Sequence, residues 1–519
     1  MTQLPSHHVQ SFIAGRPLAE ALNAGPLVGD WLRRPLSVPS AGVGPAPLFA
    51  GDWPARYLTQ ARDAGLDDGS LIRLESALER LTAGEATVVV TGQQPAVLGG
   101  PLYTLYKIAT CVALAERLAA EGRPAVPVFW AGDDDDDLLE AVSPVWWDAL
   151  GDRLQGGGTK LKKAGRPATR VPVGDVPLSR LPSGEAALDT WGTDLGRDLE
   201  TLMQRARSED WSLARLNRAA VGRIFKDTDL IQISGHDPDL HEAGRRFYQI
   251  VGPRLTDLAD LARRAGRQLE DKGRHAQISD RSLAHPLFRI ENGARTPLAG
   301  FADDEAVRDL RPGVMLRSLL QDWLLQPSAV VVGPGEAGYL AQLDHLYTTL
   351  EIPRAPLVPR LFGWLRPPEV SDAVLQAFTH PKGPAPDLAR TLGADLVQGT
   401  EDLVRSALVT HLGLPEDRAR QLAQGRSRRW GKGVQAMLET EIAALREAAV
   451  PHHPAWVFPH GQRQERKLAA FWAAAMGGDA FIKDLIVAGS QHLDLGAAGH
   501  WREFTAQVTR SGEGDTLHD

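Results

Sequence analysis

The chain has one cysteine, Cys111, among 519 residues. A single thiol excludes an intramolecular disulfide framework and fits a reducing compartment. No apolar run approaches the ~20 residues that span a bilayer, so no membrane partner is expected. The opening residues, MTQLPSHHVQSF, lack the charged-then-apolar pattern of a secretory signal. Positive charge is not in excess: the formal net charge is -8. A general nucleic-acid binder needs a basic surface to displace counterions, so that class is set aside. No GxxxxGK[ST] loop, HExxH or Cys/His ligand spacing occurs, and no metal ligands are read from the sequence. The composition thus predicts a soluble, cytoplasmic protein. Its length suffices for a large core and two or more domains.

What the chain does have is concentrated between Ala86 and Glu140. A β-branched run, Thr87 to Thr91, stops at a glycine-bearing loop, Gly92 to Gly100. Pro101 opens a helix of about twenty residues, closing near Gly122, and a second apolar run, Ala125 to Trp130, ends in five aspartates. Both runs lack alternation, as strands buried on both faces do, so an α/β fold with a parallel sheet is predicted. Ligands bind such sheets outside the carboxyl ends of the strands, where both polar loops lie.

Elsewhere the punctuation is coarser. Residues 151–220, with Gly156-Gly157-Gly158 and a run of lysines and prolines, read as an inserted, exposed segment. DLIQIS, at Asp229–Ser234, reads as a strand, and HPLFRIENGARTPL as a hairpin turning at Asn292-Gly293. Ser328–Val332 and Ala355–Pro359 read as further buried strands around a GPGEAG loop and a helix over Tyr339–Leu350. Val434, Leu438, Ile442 and Leu445 recur at helical spacing, as in a short coiled coil. The predicted domains are a core over 1–366 that includes the insertion, a helical domain over 367–455, and a segment over 456–519 returning to the core.

Three features carry candidate chemistry. Free backbone amides at Leu102–Thr104, with Lys107 one turn further on, would favour an anion; the alternative is a tight turn needing glycine only for its φ angles. The aspartate run could bind a divalent cation, hold an ammonium group or act as a base; the alternative is a solvated helix start. GPGEAG matches GxGxxG in form, but the acidic residue expected ~20 positions on is missing, and PLVPR with Arg360 stands there instead. A small-molecule loop with Glu336 as a polar contact fits better than a dinucleotide site. Cys111, on a helix apolar nearly all round, reads as a buried small hydrophobe.

Several motifs resemble one family in order along nearly the whole chain. They are TGQQ (Thr91–Gln94), GPLYTLYK (Gly100–Lys107), VPVFW (Val126–Trp130) before the acidic block, LRSLLQD (Leu316–Asp322), GPGEAGYLAQL (Gly333–Leu343), PLVPR (Pro356–Arg360) and FPHGQRQER (Phe458–Arg466). The chain is similar to the cysteine-adding ligases of bacillithiol synthesis, the BshC family. The resemblance implies a Rossmann-like core with inserted segments, and a helical coiled-coil domain used in a homodimer. It also implies joining of the cysteine carboxylate to the amine of glucosaminyl-malate, with ATP as activator and Mg²⁺ a candidate companion. The site implied has Gln93, Gln94, Gly100, Tyr103 and Lys107 on one side and Asp134, Asp135, Asp136 and Asp137 on the other. Arg317, Gly333, Gly335, Glu336 and Tyr339 border it. Where the family has Glu-Asp-His-Asp, this chain has four aspartates, so position 136 or a neighbour would have to serve as base. That departure leaves open a second reading, an inactive nucleotide-binding regulatory or scaffold protein.

Overall fold

The computed structural model describes residues 7–9, 12–17, 46–147 (save 64), 154–156, 170–183, 188, 192–366 (save 272–274, 299 and 302–305), 401–424, 459 and 462–510. Its largest sheet has five strands, all parallel. These are β1 (Thr87–Gln93), β2 (Ala125–Ala131), β3 (Ile231–Ser234), β4 (Ala329–Val332) and β5 (Leu357–Pro359). Their spatial order is β3-β2-β1-β4-β5, the Rossmann arrangement, in which strand order reverses between β1 and β4. Val88, Val90, Val126, Val128, Ile231, Ile233, Val330 and Val332 pack into one core cluster, and Val89 and Val331 into another. Burial on both faces is why these strands show no alternation.

Five helices position the site: α1 (Tyr103–Ala120), α2 (Leu213–Ile224), α3 (Val314–Leu325), α4 (Pro334–Gln342) and α5 (Ala470–Ala497). Helix α1 lies between the sheet and α5, so it is buried from Thr104 to Ala115 and has almost no polar face. Cys111 sits there, fully buried, its thiol on the Val89 carbonyl and its pKa pushed up to about 12 by burial. The approach of α5 requires Gly99, whose φ of 78° is left-handed and whose Cβ would stand 2.2 Å from the Phe471 ring. After α5 the chain forms a strand, Arg502–Arg510, which pairs with Gly363–Arg366 and with the amino-terminal strands His7–Val9 and Ile13–Pro17.

The predicted hairpin pairs Leu287–Glu291 with Ala294–Pro297 and turns through Asn292 (φ 51°) and Gly293 (φ 75°), then adds Leu310–Pro312. Two expectations need correction. GPGEAG is the start of a helix and not a loop, because Pro334 supplies the φ of a first helical residue. The helix expected over Tyr339–Leu350 is accordingly two: α4, then Asp344–Thr349. The segment 151–220 is also not exposed throughout. Its glycine and lysine run ends by Lys163, and the helix Asp194–Ser208 and α2 beyond it bury Leu195, Leu199, Leu202, Met203, Leu216 and Ala220.

The chain divides into two compact units, 1–367 with 464–519, and 368–463. In the second unit, residues 401–412 and 416–424 are helical, with Arg405 and Glu416 paired between them. The periodic stretch Val434–Leu445 lies outside the described residues. Among the described residues no helix is long and apolar enough to cross a membrane.

Candidate functional site

The reversal of strand order puts the ends of β1 and β4 side by side, and the helices that follow them meet there. Lys107 of α1 is buried and donates to the Gly92 carbonyl and to Glu336 Oε2 of α4, each at 2.7 Å, and to Gln93 Oε1 at 3.4 Å. Glu336 is turned toward the strand end by its place in the first turn of α4, where it also faces the Gly333 amide and the Tyr339 hydroxyl, each at 3.4 Å. Gln93 in turn donates to the Tyr103 hydroxyl (3.3 Å). Burial first, then the Glu140 carboxylate, raise the Tyr103 phenol, with Arg360 and Arg466 offsetting part of that rise. The predicted residues Gln93, Tyr103, Lys107, Glu336 and Tyr339 therefore form one connected polar group.

Two of the amides expected to be free at the start of α1 are not. Leu102 donates to the Leu468 carbonyl (2.6 Å) and Thr104 to the Pro101 carbonyl (2.8 Å). Lys107 is likewise closed by Glu336. Satisfying these buried donors internally is what allows α1 to sit inside the core. Gly100 (φ 81°) makes the turn ahead of α1 and accepts from the Ala470 amide. Gly333 precedes α4 as its cap, and Gly335 lies in its first turn with open space around it.

At the end of β2 the five aspartates have separate tasks. Asp133 is buried and accepts from the Ser234 hydroxyl (2.6 Å) and the His236 amide (2.9 Å). Burial pushes its carboxyl up to about 6 against the Ser234 bond, with Asp134 adding to the rise. Asp134 is also buried; burial raises it, Arg295 and Arg317 oppose the rise, and its Oδ1 has no hydrogen-bond partner. Asp135 ends below the ordinary value, because Arg317 (3.2 Å) and Arg295 outweigh the effect of its burial. Asp136 lies 3.6 Å from Arg295. Asp137 caps the short helix Leu138–Ala141 by accepting from the Glu140 amide (3.0 Å).

The charged partners of Asp134, Asp135 and Asp136 are therefore arginines. Arg295 comes from the hairpin, Arg317 from α3, and Arg311 from the strand Leu310–Pro312; only Arg317 was foreseen. Among the described residues, no group of three or more side chains converges as metal ligands would. A histidine also stands beside the acidic loop. His236 Nδ1 accepts from Arg311 Nε (3.0 Å), which leaves its proton on Nε2, facing Asp175 at 3.2 Å. With both ring nitrogens engaged, it is not a free base.

Two further groups at this edge escaped the sequence reading. Glu140 makes no side-chain hydrogen bond or ion pair among the described residues, and its pKa is raised by burial, then by Asp135 and Asp137, with Lys107 and Arg466 offsetting part. Arg466 is exposed, while Gln464 and Glu465 before it are buried. Glu465 holds buried Arg360 through two bonds (2.9 and 3.2 Å), and Gln464 exchanges two 2.8 Å bonds with the Leu365 backbone. The segment before α5 is thus fixed against the sheet with Arg466 facing outward.

The model of one family, the bacillithiol biosynthesis BshC N-terminal Rossmann-like domain, matches residues 69–309 and 302–361, more than half of the chain. The chain belongs to the BshC family. A relative from Salinibacter ruber is 31% identical over 357 residues, which is 62% of this chain and 61% of the relative. Relatives from Solibacter usitatus (303 residues, 56% of each chain) and Geobacillus kaustophilus (315 residues, 55% of this chain and 56% of the relative) are each 29% identical. All three carry the name "Putative cysteine ligase BshC". The alignments thus span little more than half the length of these BshC relatives. The matched stretch contains all five parallel strands and both polar ends of the site, whereas Glu465 and Arg466 lie beyond it.

Proposed function

We propose that this BshC chain is a ligase forming an amide between the carboxylate of cysteine and the amine of glucosaminyl-malate, with ATP as the activating co-substrate. The observation that carries the reading is the carboxylate of Glu140, which has no side-chain hydrogen bond or ion pair among the described residues and is raised by burial within the electrostatic reach of Lys107 and Arg466. An amine attacks only as the free base, and a carboxylate of raised pKa is suited to take its proton near neutrality. Glu140 suits this role better than Asp136, which faces Arg295. A guanidinium such as Arg466 suits the carboxylate of cysteine. The relatives' name, which speaks of a cysteine ligase, and the family's description in bacillithiol biosynthesis support this choice of substrates.

A carboxylate and an amine do not condense unaided in water, so a phosphoryl or nucleotidyl donor is chemically required. The groups expected to hold its phosphates do not fit that task as they stand. Lys107 is neutralised by Glu336, and two amides at the start of α1 have backbone partners. No step is therefore routed through bound ATP. The test is to incubate the purified protein with ATP, cysteine and glucosaminyl-malate and follow the amide product by mass spectrometry. AMP release would indicate an adenylate and ADP release an acyl-phosphate. No product from a natively folded sample would leave the regulatory or scaffold reading in its place.

A further inference from the structure

Beside the polar group at β1 and β4, a separate cleft of about 310 Å³ opens past the carboxyl ends of β2 and β3. Its walls include Arg215 and Arg218 of α2, with Asp63, Asp133, Asp175 and His236 opposite. The arginines lie nearly one turn apart on the same helix, and neither makes an ion pair among the described residues. Their planes are nevertheless fixed. Arg215 stacks on the buried Trp211 ring at 3.8 Å, and the Trp211 indole is itself held by Glu209 (2.7 Å). Glu209 pairs with Arg205, and Arg218 donates to the Gln60 side chain (2.8 Å). A guanidinium whose rotamer is already set loses little freedom on accepting a carboxylate.

The acids of the cleft are mostly committed. Asp133 is held by Ser234 and the His236 amide, and Asp175 faces His236. Asp63 has no hydrogen bond or ion pair among the described residues. Two adjacent cations without ion-pair partners among the described residues complement a ligand with two carboxylates. A free amino acid would engage only one of the arginines, and the cleft lies in the size range of pockets for larger ligands. A narrow neck of about 20 Å³ shares Asp133, Ala214 and Arg218 with the cleft and reaches Gln94 and Thr104 of the glycine loop and α1. Gln94 Nε2 and Thr104 Oγ1 are buried there without a hydrogen-bond partner.

We propose that this cleft is the acceptor subsite, in which Arg215 and Arg218 bind the two carboxylates of a malyl group. The inference rests on the ligase reading for the identity of the acceptor, but malate binding tests it without turnover. Calorimetry with L-malate on the full chain should show saturable binding to the wild type. Lactate, with one carboxylate, should bind at least tenfold more weakly. Arg215→Ala, at an exposed position, and Arg218→Ala should each weaken malate binding roughly ten- to a hundredfold. In turnover, the same variants should raise KM for glucosaminyl-malate and leave KM for cysteine unchanged. Malate binding that is absent in the wild type, or equal in the wild type and Arg215→Ala, overturns the subsite. Product formation with an unaltered acceptor KM in both variants also overturns it, while the ligase reading stands. Malate binding that is lost in both variants, in a protein that makes no product, keeps the subsite and removes the ligase reading.

Discussion

The two polar ends of the carboxyl edge solve the same problem differently. At the β1–β4 end, one buried ammonium meets one carboxylate, and a carbonyl and an amide oxygen complete the lysine's bonds. At the end of β2, three of five neighbouring carboxylates, Asp134 to Asp136, face arginines from distant elements; two of the five stay raised and one oxygen stays unmatched. A one-to-one buried pair is a cross-link between two helices. A cluster with uneven compensation keeps carboxylates whose charge can change near neutral pH. A glycine loop ahead of a helix therefore does not by itself make an anion site, and the tunable chemistry lies with the acids.

The largest effect should come from breaking the cross-link. Lys107→Met leaves Glu336 with only two long contacts, at 3.4 Å, in a mostly buried place. Removing one partner of a buried pair costs about 3–5 kcal/mol, so urea unfolding should show a loss of about that size. Adding Glu336→Gln to the same chain should recover more than half of it. A loss under about 1 kcal/mol in Lys107→Met, with turnover abolished, would instead make the lysine a ligand contact.

Asp133 sharpens the contrast through pH. Its folded pKa, about 6, lies above the ordinary 3.8, so the folded state holds the proton more tightly than the unfolded chain. The stability this gives is fully present below about pH 3.8 and is lost as pH rises through about 6. A gap of about two pH units corresponds to about 3 kcal/mol at most. In Asp133→Asn, which keeps an acceptor for the His236 amide, that pH-dependent part should vanish. Parallel unfolding curves from pH 4 to 8 for the two proteins would show instead that the Asp133 carboxyl titrates normally.

The sheet was legible in the sequence because its signal is local: unbroken β-branched runs, each closed by glycine or aspartate. The hairpin was legible for the same reason, since Asn292-Gly293 carries its own turn. The partners were not legible. Arg295 and Arg317 stand 159 or more positions from the aspartates they compensate, and Leu468 fills an amide at the start of α1 from the far end of the chain. Pairing across such distances leaves no periodicity to read. Glu140 was passed over because the aspartates drew attention, although it is the first carboxylate after the acidic run. The buried helices of 194–224 were obscured by the glycine and lysine run that precedes them.

The smallest effect expected separates two carboxylates of one loop. Asp136 is exposed and close to Arg295, an arrangement worth well under 1 kcal/mol, so Asp136→Asn should change kcat/KM less than about threefold. Glu140 has no such partner, and its raised pKa means that activity depending on its ionised form should rise with pH above the ordinary glutamate value. Glu140→Gln should lower kcat by roughly ten- to a hundredfold, toward the lower end of general-base effects, and should flatten the acid limb of the pH–rate profile. The KM for cysteine should hold steady if proton removal is the role, and should rise if Glu140 merely orients Arg466. Should Asp136→Asn instead prove the more damaging change, with the acid limb lost in that variant, the base belongs to the aspartate run.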